Sequence, residues 1–185
     1  GGPSYKLSWM LTRILRPLLD HMPTHLENSL QLLETIEAIP KGKIKQFPYP
    51  FSLDVISLYT SIPVNDAIQA MAEFVDQTQL KLPLTTQQLT KLLTVILDNT
   101  FFQYKGEIFQ QVAGLPMGNS VSGILAMIYM ARMESQIVNS LNIGLYKRYA
   151  DDILILTTNH EEAERIFNIM NAQNHHIKLE AEYPS

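Results

Sequence analysis

The sequence predicts an α+β fold, an antiparallel sheet with helices packed on one face. Three observations predict it. Residues 51–58 form a short apolar run that reads as a strand, and residues 176–182 alternate apolar and polar side chains, the period of a half-buried strand. Leu145–Tyr149 and Ile153–Leu156 flank Ala150-Asp151-Asp152 as the two arms of a hairpin flank a tight turn. Elsewhere apolar residues recur every three to four positions, as at Leu89, Leu92, Leu93 and Ile96, the stripe of a core-facing helix. Strands and helices interleaved in this order belong to an α+β architecture.

In chain order, the first element is a helix over Tyr5–Asp20, with Leu7, Met10, Leu11, Ile14, Leu15 and Leu18 on one stripe and Pro17 as a kink or stop. Thr24-His-Leu-Glu27 matches a capping box and opens a second helix to about Ile39. Pro40–Pro50 reads as a basic, proline-bearing loop and as the best domain boundary. A strand over Phe51–Leu58 leads to helices over about Val64–Gln77 and Thr86–Asp98. Phe101–Tyr104 and Glu107–Val112 flank Lys105-Gly106, a hairpin signal. A helix over about Asn119–Ser140 precedes the Asp-Asp hairpin. Asn159 caps a helix to about Asn171, and His176–Glu182 closes the chain as an edge strand.

With 185 residues the chain is about one domain, large enough for a sizeable core. Hydrophobic residues at 46% and charged residues at 17% are globular values that argue against disorder. No cysteine is present, which excludes disulfides and thiolate zinc sites. Val112–Ala131 lacks a formal charge, yet Pro116, Asn119, Ser120 and Ser122 interrupt it, so it reads as a core helix rather than a membrane span. Residues 1–50 carry six Lys/Arg against four Asp/Glu, whereas residues 51–185 carry eight against fourteen. That acidity counts against a simple nucleic-acid binder, which shows a basic footprint. The objection weakens if the acidic part is a catalytic floor.

Asp54 sits inside an apolar strand, and Asp151-Asp152 sit between two others. Carboxylates in such surroundings call for a compensating cation. Three on neighbouring strands are how an enzyme holds paired divalent ions, which clamp the attacking and leaving oxygens of a phosphoryl displacement. A polar turn that merely happens to carry two Asp is the plainer reading of Asp151-Asp152 alone. The five histidines show no spacing for a metal and read as surface residues.

Asp54-Val-Ile-Ser-Leu-Tyr59 resembles motif A of reverse transcriptases, Gln111-Val-Ala-Gly-Leu-Pro-Met-Gly118 their motif B, and Tyr149-Ala-Asp-Asp152 their motif C. The resemblance covers the chain from about Gly2 onward. The wording of residues 52–63 and 114–120 is most similar to Penelope-like retroelements. This implies a polymerase palm over 51–185, with motifs A to D. It also implies a partial, helical fingers portion over 1–50 that ends in the basic loop, with the thumb and any endonuclease domain absent.

The resemblance implies roles as well. Asp54, Asp151, Asp152 and the Val55 carbonyl would hold two Mg²⁺, with Mn²⁺ as a substitute; such hard cations take oxygen ligands. Tyr59 would be the aromatic gate that rejects a ribose 2′-hydroxyl. With Tyr59, the nucleotide site would include Gln111, Pro116, Met117 and Gly118. Met117 departs from the Gln common at its position, and Asn119-Ser-Val-Ser-Gly123 departs from the usual Ser-Pro wording. Lys178, in the place of motif D, would protonate the departing pyrophosphate, or simply guard an edge strand. Lys41, Lys43 and Lys45 could meet phosphates, with Phe47 and Tyr49 for stacking, and Tyr149 completes the nucleic-acid set. A solvated linker is the competing reading for the lysines.

The expected function is an RNA-directed DNA polymerase fragment that uses an RNA template, a DNA primer and deoxynucleoside triphosphates. It would lack membrane association, and the full-length element protein would be intracellular and nuclear. The alternatives are a non-catalytic, retroelement-derived nucleic-acid-binding module or an RNA-dependent RNA polymerase. Tyr59 disfavours the latter, because an acidic residue is usual there.

Overall fold

A computed structural model describes residues 3–98 and 100–185. Gly1 and Gly2, where the expected fingers portion and the resemblance begin, lie outside the described residues. The chain divides into two compact units, each assembled from separate stretches: residues up to 23 with 57–132, and residues 24–56 with 133–185.

In the first unit, helix α1 (Pro3–Leu15) passes directly into a 3₁₀ turn over Arg16–His21, with Pro17 in its first turn. Proline lacks the N–H an α-helix interior needs but suits a helix start, so the expected stop becomes a change of helix type. Leu11, Leu15 and Leu18 of the expected stripe are fully buried. The helices α5 (Val64–Thr78) and α6 (Thr86–Leu97), which follow the short helix α4 (Leu58–Ser61), pack together through Ala67, Met71, Val75, Leu89 and Leu93. Thr85 and Gln88 form a reciprocal capping box at the α6 N-terminus. The hairpin of β2 (Phe101–Tyr104) and β3 (Glu107–Gln110) follows as expected, and all eight of its strand residues are exposed. Among the described residues no helix is long and apolar enough to cross a membrane.

The second unit holds a four-stranded antiparallel sheet in the order β4-β5-β1-β6, with β1 over Tyr49–Ile56, β4 over Leu145–Tyr149, β5 over Asp152–Thr157 and β6 over Lys178–Glu182. Phe51, Leu53 and Val55 alternate inward with Ile153, Ile155 and Leu179, while Ser52, Asp54 and Ile56 turn outward. Helix α8 (His160–Gln173) packs against β1 and β6 through the same unit's core, where Ala163, Ile166 and Met170 are buried. Asn159 caps it as expected, and Asn171 near its end accepts the Leu179 N–H at 2.9 Å, tying helix to strand. Helix α7 (Ser120–Ile137) contributes its residues from Met133 onward to this unit and ends in a 3₁₀ turn over Val138–Ser140.

Three expectations are corrected. Helix α2 runs over Ser29–Glu37 and is capped by Asn28, which accepts the Gln31 N–H; the Thr24 capping box does not form. Thr24 instead gives its hydroxyl to Glu134 and its carbonyl to the Arg148 N–H, so long-range partners outbid a local cap. The basic loop is largely helical: α3 spans Lys41–Gln46, started by Pro40. At 100° per residue, Lys41 and Lys45 share one face and Lys43 turns away, so the three do not form one track. Third, β1 stops at Ile56 rather than Leu58. Ser57 takes a left-handed φ of 51°, and Tyr59 lies in the following helical turn, α4.

Candidate active site

The β1–β5 register sets Asp54 directly opposite Asp152, and the β1–β6 register sets Asp54 directly opposite Glu180. All three side chains are exposed on the outward face, so one row of carboxylates crosses three strands. The expectation that Asp54 and Asp152 are buried among apolar side chains is therefore corrected: the apolar neighbours occupy the opposite face. Asp151 sits in the β4–β5 turn, and its carbonyl accepts the Val55 N–H at 3.0 Å, which docks the turn onto β1.

Like charges placed directly opposite in a sheet repel. Desolvation first, then Asp151, Asp54 and Glu182, hold the Asp152 carboxyl above the usual carboxylate range. Ser52, Asp54, Asp152, Glu180, Glu182 and Tyr183 line an open concavity of about 670 Å³. Among the described residues no three His, Cys, Asp or Glu side chains are gathered closely enough to hold a metal ion. The donor set is nonetheless all oxygen, and its mutual repulsion is the kind a hard cation relieves. The carboxylates fit divalent ions in chemistry and in the face they share.

Glu180 and Glu182 escaped the sequence reading. The alternation in Lys178-Leu-Glu-Ala-Glu182 puts the three charged residues on one face, but which strand lies beside them is a tertiary fact. Lys178 pairs with Ile56 and is exposed at the sheet edge, on the face that carries Asp54. Tyr149 is half exposed at the end of β4, and Asp152 is its cross-strand partner.

The expected nucleotide-site residues belong to the first unit, whereas Lys41, Lys43 and Lys45 belong to the second. The Leu115 N–H donates to the Tyr59 carbonyl at 2.8 Å, joining the motif B loop to the turn that carries Tyr59. Gly114, at φ 74°, lies so close to Thr60 that a Cβ would come within 2.5 Å of its carbonyl oxygen, so only glycine fits. A Cβ on Gly123 would meet the Tyr59 hydroxyl at 3.9 Å, which puts this helix position beneath the half-buried ring. Gln111 turns its amide into the loop, donating to the carbonyls of Ala113, Gly114 and Leu115 at 2.9, 3.3 and 3.2 Å. Pro116 is buried, whereas Met117 and Gly118 are exposed.

Of the histidines, His25 departs from the surface expectation. Its Nδ1 is buried without a hydrogen-bond partner, and desolvation with the Arg148 charge holds its pKa down.

The reverse transcriptase (RNA-dependent DNA polymerase) family signature matches residues 6–182. Over 179 residues the chain is 24% identical to a telomerase reverse transcriptase of Oryzias latipes, covering 92% of this chain and 16% of that protein. Over 106 residues it is 26% identical to the one from Euplotes aediculatus, covering 48% of this chain and 10% of that protein. The fold superposes with a TM-score of 0.74 and 14% identity on telomerase from Candida tropicalis in complex with a fragment of telomeric RNA, covering 96% of this chain and 33% of that one. The chain thus spans less than a fifth of the length of these curated relatives.

Proposed function

We propose, from the premise that this chain belongs to the reverse transcriptase (RNA-dependent DNA polymerase) family, that it is the catalytic core of a Penelope-like retroelement polymerase. It extends a DNA primer with deoxynucleotides on an RNA template. The observation that carries this reading is the row Asp152, Asp54 and Glu180 on one face, with Asp151 held beside it by the Val55 N–H. Asp54, Asp151 and the Val55 carbonyl would hold two Mg²⁺ or Mn²⁺, with Asp152 completing the negative field. When bound, such ions supply charge stabilisation to the attacking and leaving oxygens.

The chain's own residues do the rest. The outward face keeps the carboxylates in water, open to a charged triphosphate. Lys178, exposed on that face, is read as the proton donor to pyrophosphate. Tyr59, held by the Leu115 N–H and backed by Gly123, is read as the gate against a 2′-hydroxyl. Lys41, Lys43, Lys45 and Tyr149, all exposed, would meet the template and primer backbone. The full-length element protein is read as nuclear, which microscopy of the tagged protein would check.

The test is primer extension on an RNA template by the full-length protein that contains this chain. Asp151→Asn should lower extension by ~10³-fold, the scale at which preorganised charge stabilisation acts. Undiminished extension by that variant overturns the catalytic reading. Inactive wild-type protein that still binds RNA would favour the non-catalytic module. Tyr59→Val should raise ribonucleotide incorporation relative to deoxynucleotide incorporation in single-addition competition; unchanged selectivity with a lowered melting temperature would make Tyr59 a packing residue.

A further inference from the structure

Arg148 lies one residue before Tyr149-Ala150-Asp151-Asp152, and none of its side chain is exposed. A guanidinium buried this completely requires a counter-charge, and Glu134 of α7 supplies it. Arg148 Nε donates to Glu134 Oε1 at 2.5 Å and Nη2 to Oε2 at 3.4 Å. The Tyr146 and Thr24 hydroxyls donate to the same carboxylate at 3.0 and 2.5 Å, so it is held from four directions. The backbone is clamped too: the Arg148 N–H donates to the Thr24 carbonyl and the Leu26 N–H to the Arg148 carbonyl, both at 2.8 Å.

Stability alone does not account for such a pair, since apolar residues of similar volume commonly stabilise a core as well or better. The guanidinium has a further donor, and its direction is informative. Nη1 donates to the Ala150 carbonyl at 3.2 Å. Ala150 has a left-handed φ of 51°, unfavourable for any residue with a Cβ, and it is the residue before Asp151. The two turn carbonyls are thus both held, Ala150 by Arg148 and Asp151 by the Val55 N–H. A planar fork can span Glu134 and Ala150 at once, whereas a lysine ammonium, a single point on a flexible stem, cannot hold both in fixed geometry.

We propose that Arg148, fixed by Glu134, is the positioning residue that sets the aim of the Asp151 and Asp152 carboxylates through the strained Ala150. It touches no substrate. Its effect is to hold the turn ready, so that divalent ions bind without first ordering it. This proposal rests on the polymerase reading for its consequence, and on the geometry of one buried network for its cause.

The experiment uses the full-length protein with two variants, Arg148→Lys and the apolar pair Glu134→Leu with Arg148→Met. Four quantities are read: thermal melting, amide exchange at residues 150–152, Mn²⁺ binding by paramagnetic resonance, and the Mg²⁺ concentration for half-maximal primer extension. Both variants should show faster exchange at the turn, weaker Mn²⁺ binding and a Mg²⁺ requirement raised about 10-fold, with extension restored to within a few-fold at saturating Mg²⁺. A purely structural role would instead lower melting and maximal activity together and leave the Mg²⁺ requirement unchanged. Wild-type turn exchange and Mn²⁺ binding in a folded variant overturn the proposal. If the apolar pair fails to fold, Arg148→Lys decides. If wild-type protein extends no primer, the polymerase reading fails, and exchange and Mn²⁺ binding still decide the tether.

Discussion

Two hairpins of this chain solve the same turn problem in opposite ways. In β2–β3 both central residues, Lys105 and Gly106, have positive φ, 50° and 87°, the pattern of a turn whose twist matches its strands. Its strand residues are all exposed, and its visible support is local: Phe102 stacks on Phe109 at 5.6 Å, and the Lys105 ammonium lies over the Tyr104 ring. In β4–β5 the left-handed residue is Ala150, with no glycine to relieve it, and the arms alternate into a buried face. There the strain is met by Arg148 and by Val55 from outside the turn. A hairpin that only has to reverse the chain can rely on its own sequence. One that aims carboxylates is held in an unfavourable conformation by the core behind it.

The largest difference should appear when each hairpin loses its support. Glu134→Ala leaves the Arg148 charge buried and unpaired, and should cost about 3–5 kcal/mol in denaturant unfolding. Phe109→Ala removes a partly exposed ring pair and should cost about 1 kcal/mol. Similar values for the two would break the contrast.

A smaller effect is expected at the turns themselves. Gly106→Ala puts a Cβ on a residue at φ 87°, and should cost about 1–2 kcal/mol even though the space around it is open. Ala150→Gly relieves strain of that order but gains unfolded-state entropy, so stability should shift by less than about 1 kcal/mol. Amide exchange at 150–152 should nevertheless quicken, because a glycine turn samples more conformations. Unchanged exchange would show that the tether alone rigidifies the turn.

The smallest effect sharpens the electrostatic side. Asp152 is raised in the folded protein, so between the ordinary aspartate range near ~3.9 and its raised value the native state binds more protons than the unfolded one. Metal-free stability should therefore fall as pH rises through that window, by a modest amount for so exposed a group. Asp152→Asn should flatten the slope, and Mg²⁺ should reverse the loss in wild type. Melting curves across pH 3.5–7 check it, and equal slopes for wild type and variant would mean that the repulsion is fully screened.

Much of the fold was legible because its signals are local. The strand that opens at Phe51, the Asn159 cap and the Lys105-Gly106 turn each rest on signals within a few residues, and all appear where expected. Thr24 and the Lys41–Gln46 segment misled for a related reason. A capping pattern is a weak preference, and Thr24 gains more from Glu134 and Arg148, while Pro40 starts a short helix that composition reads as a loop.

At the site, the sequence by itself determined the candidates, Asp54, Asp151, Asp152 and Tyr59, which are recognisable by motif order. It also determined, through strand alternation, that Lys178, Glu180 and Glu182 share a face. Only the tertiary structure decided that Glu180 completes a row with Asp54 and Asp152, because register joins strands far apart in the chain. It likewise decided that Arg148 turns inward to Glu134 and Ala150. The cost of desolvating a guanidinium depends on which carboxylate waits in the core, and that partner is set by packing, not by neighbours in sequence.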